Sequence, residues 1–240
     1  MKIKFEPAFK DAEMFYEQPK PAATFIPNWY RSMPKTVDGS SHVHLSEDKS
    51  ASNMTLKGCS PFLDSLTSGY IMSLPCDIEI SFNEFDELNV NWLIDLEDLV
   101  SGHDGSQLPG MKSLASNHYG ALKWRAGWRV ITPPGYSTLF VHPLNRTDMP
   151  FQTFSGVVET DSYGLPVEFP FILNNLLIKE DRFIIEKGTP IVQAIPFKRD
   201  NWNSEIVAFN EKQNKQSQIN LKSKIGRSYK KQYWKGKKFL

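Results

Sequence analysis

From Trp128 to Arg199 the chain alternates short runs of Val, Ile, Phe and Thr with Pro/Gly turns, and that alternation limits what it can fold into. The stretch reads RVITPPGYSTLFVHPLNR, FQTFSGVVETDSYGLPVEFPFIL and RFIIEKGTPIVQAIPFKR, with Pro133-Pro134-Gly135, Tyr163-Gly164 and Lys187-Gly188 as punctuation. Closely spaced strands between turn signals predict an antiparallel two-sheet sandwich or jelly roll rather than a βαβ sheet. The expected fold class is therefore mainly β, with one short helix, an extended N-terminal arm and a basic helical C-terminal tail.

The chain divides accordingly. Residues 1–37 read as an arm: KIKF suits a strand, and Pro19, Pro21, Pro27 and Pro34 exclude a long helix. Phe25, Ile26, Trp29 and Tyr30 are costly to leave in water, which predicts that the arm lies across the core. Residues 38–203 form the expected sandwich with long loops. Within them, Pro61 is expected to open a helix over PFLDSLTSGYIMSL. CDIEISF and LNVNWLID predict a hairpin around residues 83–87, and the Gly/Pro-rich stretch 99–123 predicts a surface loop. Residues 204–240 form the tail, where Leu221, Ile225, Tyr229 and Tyr233 fall four apart, as on one helix face.

Charge separates the tail from the body. The net charge is +1, yet residues 211–240 hold ten Lys/Arg against Glu211 alone, a net of +9, leaving −8 for the remainder. Such asymmetry suggests an interaction segment that folds back on its own body or reaches a neighbouring subunit. Lys230, Lys231, Tyr233 and Trp234 also interleave cations with rings, a pattern that suits single-stranded nucleic acid. Cys59 and Cys76 match no zinc spacing and no disulfide framework, which predicts a reducing compartment. The N-terminal MKIKFEPAFKDAEMF lacks the apolar core of a signal peptide, and no run approaches the ~18 apolar residues of a membrane span. The expectation is a soluble cytoplasmic protein without a membrane partner.

Two resemblances bear on origin. GCSPFLDSLTSGY, TPPGYSTLFVHPLNR, FSGVVETDSYGLPVEFPF and IEKGTPIVQAIPFKRDNW, in that order, resemble a family of proteins of uncharacterised activity found largely in tailed phages. That resemblance covers most of residues 20–202 and implies a phage-encoded protein acting in the infected host cell, with the virion as the alternative. The second resemblance is at the level of scaffold. Ser155–Gly164, followed by Gly188-Thr189-Pro190-Ile191-Val192-Gln193, is similar to the trimeric dUTPase/dCTP deaminase pattern. There a G-V-I-D-x-x-Y-x-G hairpin offers a carboxylate and backbone groups to the nucleoside. Here Glu159 stands in place of the Asp, the spacing to Tyr163 is one residue longer, and the R-S-G phosphate motif and Gly-rich terminal lid are absent. The resemblance thus implies a scaffold rather than pyrophosphatase chemistry.

The candidate chemistry is sparse. His42-x-His44, with Glu47 and Asp48 nearby, is the one weak metal-ligand candidate, since i and i+2 imidazoles on extended chain face one side. Solvated loop histidines are the simpler account, and the cofactor stays unknown. No H-x-[DE] element, Gly-rich phosphate loop, G-x-S-x-G elbow or H-E-x-x-H helix occurs. His142, Asn145 and Arg146, with Asp148, follow a strand, where sandwich sites are often built. His142 could serve as acid/base, Arg146 as anion clamp and Asn145 as orienting amide. The alternative is ordinary turn hydrogen bonding and a local ion pair. Glu159 and Asp161 share a face if their segment is a regular strand, and Arg199 closes the last strand. Three functions remain open: an accessory protein binding a small polar or anionic ligand at the strand ends, an assembly protein that self-associates through arm and tail, and a degenerate dUTPase-like nucleotide enzyme.

Overall fold

The computed structural model describes residues 1–36, 55–84, 87–102, 122–174, 177–178, 180–222, 229–230 and 233–240. In chain order, β1 is Lys4–Pro7, α1 Ala12–Phe15, β2 Lys20–Pro21, α2 Asn28–Ser32, α3 Ser60–Thr67, β3 Tyr70–Ser73, β4 Ile78–Phe82 and β5 Leu88–Trp92. Then come β6 Val100–Gly102, β7 Leu122–Arg125, β8 Trp128–Ile131, β9 Tyr136–Val141, β10 Phe151–Thr153 and β11 Gly156–Val158. The last elements are β12 Glu168–Leu173, β13 Arg182–Ile185, β14 Pro190–Lys198 and α4 Glu211–Lys222. Every strand pairing among them is antiparallel.

The expected β-sandwich-like architecture is present. A five-stranded sheet runs β11-β9-β14-β3-β2 and a four-stranded sheet β10-β12-β7-β6, beside a three-stranded β13-β4-β5 and a β1-β8 pair. The two larger sheets meet through aromatic rings. Phe140 of β9 packs on Phe169 of β12 with centroids 5.0 Å apart; within the four-stranded sheet, Trp124 of β7 stacks on Phe171 at 3.6 Å with Phe151 edge-on. Strands β4, β7 and β8 place a buried residue at every second position, as period-2 side chains require when one face meets a core. The hairpin predicted around residues 83–87 is the β4–β5 pair, with Ile78 opposite Trp92.

The N-terminal arm is part of the body. β1 pairs with β8, Ala12 and Tyr16 are buried, and the Tyr16 hydroxyl donates to the Arg125 carbonyl at 2.8 Å. Gly127 makes room for that ring: its φ is +70°, and a Cβ there would overlap Tyr16.

The helix expected from Pro61 through Leu74 is shorter. It ends at Thr67, and YIMS becomes strand β3. Gly69 makes the break, with φ +72° and a missing Cβ that would collide with the Ala194 carbonyl of β14. Close backbone approach to β14 thus turns a helical pattern into a sheet-centre strand. Of the predicted 99–123 loop, residues 100–102 and 122–123 are strand, and residues 103–121 lie outside the described residues. In the tail stripe, Ile225 lies outside the described residues as well. Among the described residues no helix is long and apolar enough to cross a membrane.

Candidate functional site

The six candidate ligand residues lie at the two ends of β9. His142, Asn145 and Arg146 follow its last residue, Val141, while Asp161 and Arg199 gather around Gly135, just before its first. Six residues of strand separate the groups by roughly 20 Å, too far for one small ligand.

At the Gly135 end the side chains satisfy one another. Arg199 donates through Nη1 to Asp161 Oδ1 (2.9 Å), the Ser137 hydroxyl (3.0 Å) and the Tyr136 carbonyl (3.1 Å), and through Nη2 to Asp161 Oδ2. The Gly135 amide donates to Asp161 at 2.8 Å. The Arg199 hydrogen bonds, with that amide, hold the Asp161 carboxyl down at a pKa of about 2. β11 ends at Val158, so Glu159 and Asp161 belong to a turn and not to one strand face; the Glu159 carbonyl accepts from the Ser162 and Tyr163 amides. Glu159 is exposed, and its charge reinforces the protonated state of Arg199 after that of Asp161. Beneath them the hydroxyls of Thr132, Thr160 and Thr138 form a buried chain at 2.7 and 2.8 Å. This cluster clasps the end of β14 to the sheet.

At the other end His142 is locked. Its Nδ1 accepts from the Thr153 amide at 3.3 Å, which leaves Nε2–H to donate to the Arg146 carbonyl at 2.8 Å. Burial lowers its pKa, against the opposing pull of that carbonyl. With both ring nitrogens engaged, His142 positions the turn. Asn145 adopts φ +59° and donates to the Ser65 hydroxyl of α3 at 2.6 Å.

Arg146 lines a cleft beside α2. The cleft holds about 440 Å³ and is walled by residues 24–29, Arg31, Arg146 and Asp148. Arg146 grips Asp148 through Nε at 2.8 Å and Nη2 at 3.1 Å. Burial raises the Asp148 carboxyl, but Arg146 and a hydrogen bond from the Trp29 side chain outweigh it and hold it below the usual range. Arg31, on α2, curls back to donate through Nε to the Ile26 carbonyl at 2.9 Å and through Nη2 to the Thr24 carbonyl at 3.4 Å. Pro27 opens α2, and Trp29 and Tyr30 then pack on Phe62 of α3, which fixes the cleft wall. Two guanidinium groups and one carboxylate line the cleft, so its lining carries net positive charge.

Sequence reasoning singled out Arg146 and Asp148 here and missed Arg31. Arg31 had a local signal, a cation two residues after Trp29 on a Pro-initiated turn. Nothing local indicates that this turn meets residues 146–148. His42 and His44 lie outside the described residues; among the described residues no cluster of three His, Cys, Asp or Glu could hold a metal ion.

The C-terminal residues return to the body. The Trp234 indole donates to both Asp64 oxygens at 3.0 Å, Lys237 pairs with the same carboxylate, and Phe239 meets Tyr70 edge-on. The Tyr70 hydroxyl donates to the Leu240 carbonyl at 3.2 Å. Lys230 lies 5.3 Å from the Trp234 ring centroid, and Lys231 lies outside the described residues.

No family model matches the chain, and no curated protein matches its sequence. Among solved structures, it is similar to the dUTPase of Staphylococcus bacteriophage 80alpha, at 11% identity over 88% of this chain and 97% of that one, with a TM-score of 0.36. It is similar also to the dUTPase of phage phi11 of S. aureus, at 8% identity over 88% and 99%, with a TM-score of 0.37.

Proposed function

We propose that the chain is a phage-encoded accessory protein that binds a small anionic ligand in the cleft between α2 and the turn after β9. One observation carries the reading. Arg31 and Arg146, far apart in sequence, line one cleft that contains a single carboxylate, Asp148. Arg146 is mostly buried, with its side chain 16% exposed, so its charge is poorly screened, and Asp148 occupies one edge of its planar fork. A carboxylate or phosphate group there would balance the second guanidinium, with Trp29 supplying an apolar wall. His142 and Asn145 support this site by fixing the backbone that presents Arg146.

Titration calorimetry with inorganic phosphate, short dicarboxylates and nucleoside phosphates tests the reading. Binding of one of these classes is expected, with loss of at least about tenfold in affinity for Arg31→Ala at unchanged thermal stability. No binding at millimolar concentration, or equal affinity in Arg31→Ala, overturns it. Turnover of dUTP with magnesium in the same samples would favour the nucleotide-enzyme alternative.

A further inference from the structure

Residues 197–216 are exposed without interruption, although they leave a well-packed sheet and lead to a C-terminus that docks on the body. Within them residues 199–210 form neither helix nor strand and carry Trp202 (90% exposed), Ile206 (101%), Val207 (73%) and Phe209 (77%). Isolated exposed apolar residues are normal, but four large ones within eight positions mark a contact surface. The arm leaves the sheet from a fixed end and runs into a capped helix. Arg199 is clasped to Asp161 and donates its amide to the Gly135 carbonyl at 2.9 Å, and Asn210 caps α4 through its side chain at 2.9 Å.

Charge selects the occupant. Residues 200–211 contain Asp200, Glu205 and Glu211 and no Lys or Arg. Residues 212–240 contain ten Lys/Arg and no acid. An acidic apolar arm repels phosphate backbones, and aliphatic Ile206 and Val207 offer no stacking platform, which disfavours nucleic acid as its partner. The complementary surface would be basic with apolar residues interspersed. The same chain owns one: α4 and the tail expose Ile219 (59%), Tyr229 and Tyr233 among their lysines. Its own tail leaves the arm uncovered.

We propose that the 200–210 arm docks on a second copy of this chain, the acidic arm of one copy lying against the basic tail of the other. Each copy carries both halves, so two copies can exchange the contact reciprocally about a two-fold axis. The Arg199–Asp161 clasp fixes where the arm leaves the sheet, and the Asp64 contacts fix where the tail ends.

Sedimentation velocity on the nucleic-acid-free full chain tests this. The wild type is expected to associate at micromolar concentration, more weakly at high salt. The triple variant Trp202→Ser, Ile206→Ser, Phe209→Ser is expected to weaken association by at least about tenfold, with an unchanged circular dichroism spectrum. Glu205→Lys, at an exposed position that leaves the core intact, is expected to weaken it at least about threefold in low salt. A wild type that stays monomeric at about 100 μM, or variants that associate as the wild type does, overturns the proposal. Single-stranded DNA binding that is lost in the triple variant also overturns it, in favour of a nucleic-acid arm.

Discussion

Asp161 receives both nitrogens of the Arg199 fork while its Oδ2 also accepts the Gly135 amide, so one carboxylate ties the residue that follows β14 to the turn that opens β9. The folded pKa of Asp161, about 2, lies below the ordinary 3.8. A depressed carboxylate stabilises the fold above its ordinary pKa, and that contribution is lost as pH falls through the window down to about 2. Asp161→Asn is expected to lower the melting temperature at neutral pH and to converge on the wild type near pH 2. Thermal melts of both proteins across that range check this; a constant difference contradicts it.

His142 should behave as a neutral structural ring. Its lowered pKa means that the unfolded chain takes up a proton first, so stability is complete above the ordinary value of 6.5 and falls as pH drops below it. Nitrogen-15 NMR should show the Nε2–H tautomer. His142→Ala, which strands the Thr153 amide and the Arg146 carbonyl, should cost about 1–3 kcal/mol.

Gln193 is 1% exposed and helps join the end of α3 to the turn after β9. Its Nε2 donates to the Ser65 (3.0 Å) and Ser68 carbonyls at the end of α3, and its Oε1 accepts the Leu144 amide at 2.9 Å. The last carbonyls of a helix lack intrahelical donors, and here a core strand supplies them. Gln193→Leu keeps the volume and strands all three groups, for an expected loss of about 2–4 kcal/mol in chemical denaturation.

Asp64 holds the C-terminus without holding the fold. Burial raises its carboxyl, but hydrogen bonds from Lys237 and Trp234 bring it below the usual range. The Lys237 side chain is 54% exposed, so Asp64→Ala should change stability by no more than about 1 kcal/mol. Residues 233–240 should nevertheless come loose, seen as a red shift in tryptophan fluorescence and faster tryptic cleavage after Lys235. Unchanged cleavage would show that the Phe239–Tyr70 contact suffices alone.

The strand-rich class was legible because period-2 burial and turn chemistry are local. β4, β5, β8 and β9 lie where alternating residues and Gly/Pro punctuation place them. The helix after Cys59 was legible only to its midpoint, because Gly69 answers to the Ala194 carbonyl, more than a hundred positions away. The same limit applied to the candidate residues. Their common place at strand ends suggested that Glu159, Asp161 and Arg199 belong with His142, Asn145 and Arg146, whereas β9 holds the two groups apart.

By itself, then, the sequence determined the β architecture, the basic tail and the residue types able to bind an anion, since these depend on neighbours along the chain. Tertiary structure alone decided that Arg31 shares a cleft with Arg146, that both nitrogens of His142 are engaged, and that Trp234 returns to Asp64. Those are contacts between distant segments, and they are fixed by how sheets and helices pack rather than by any local preference.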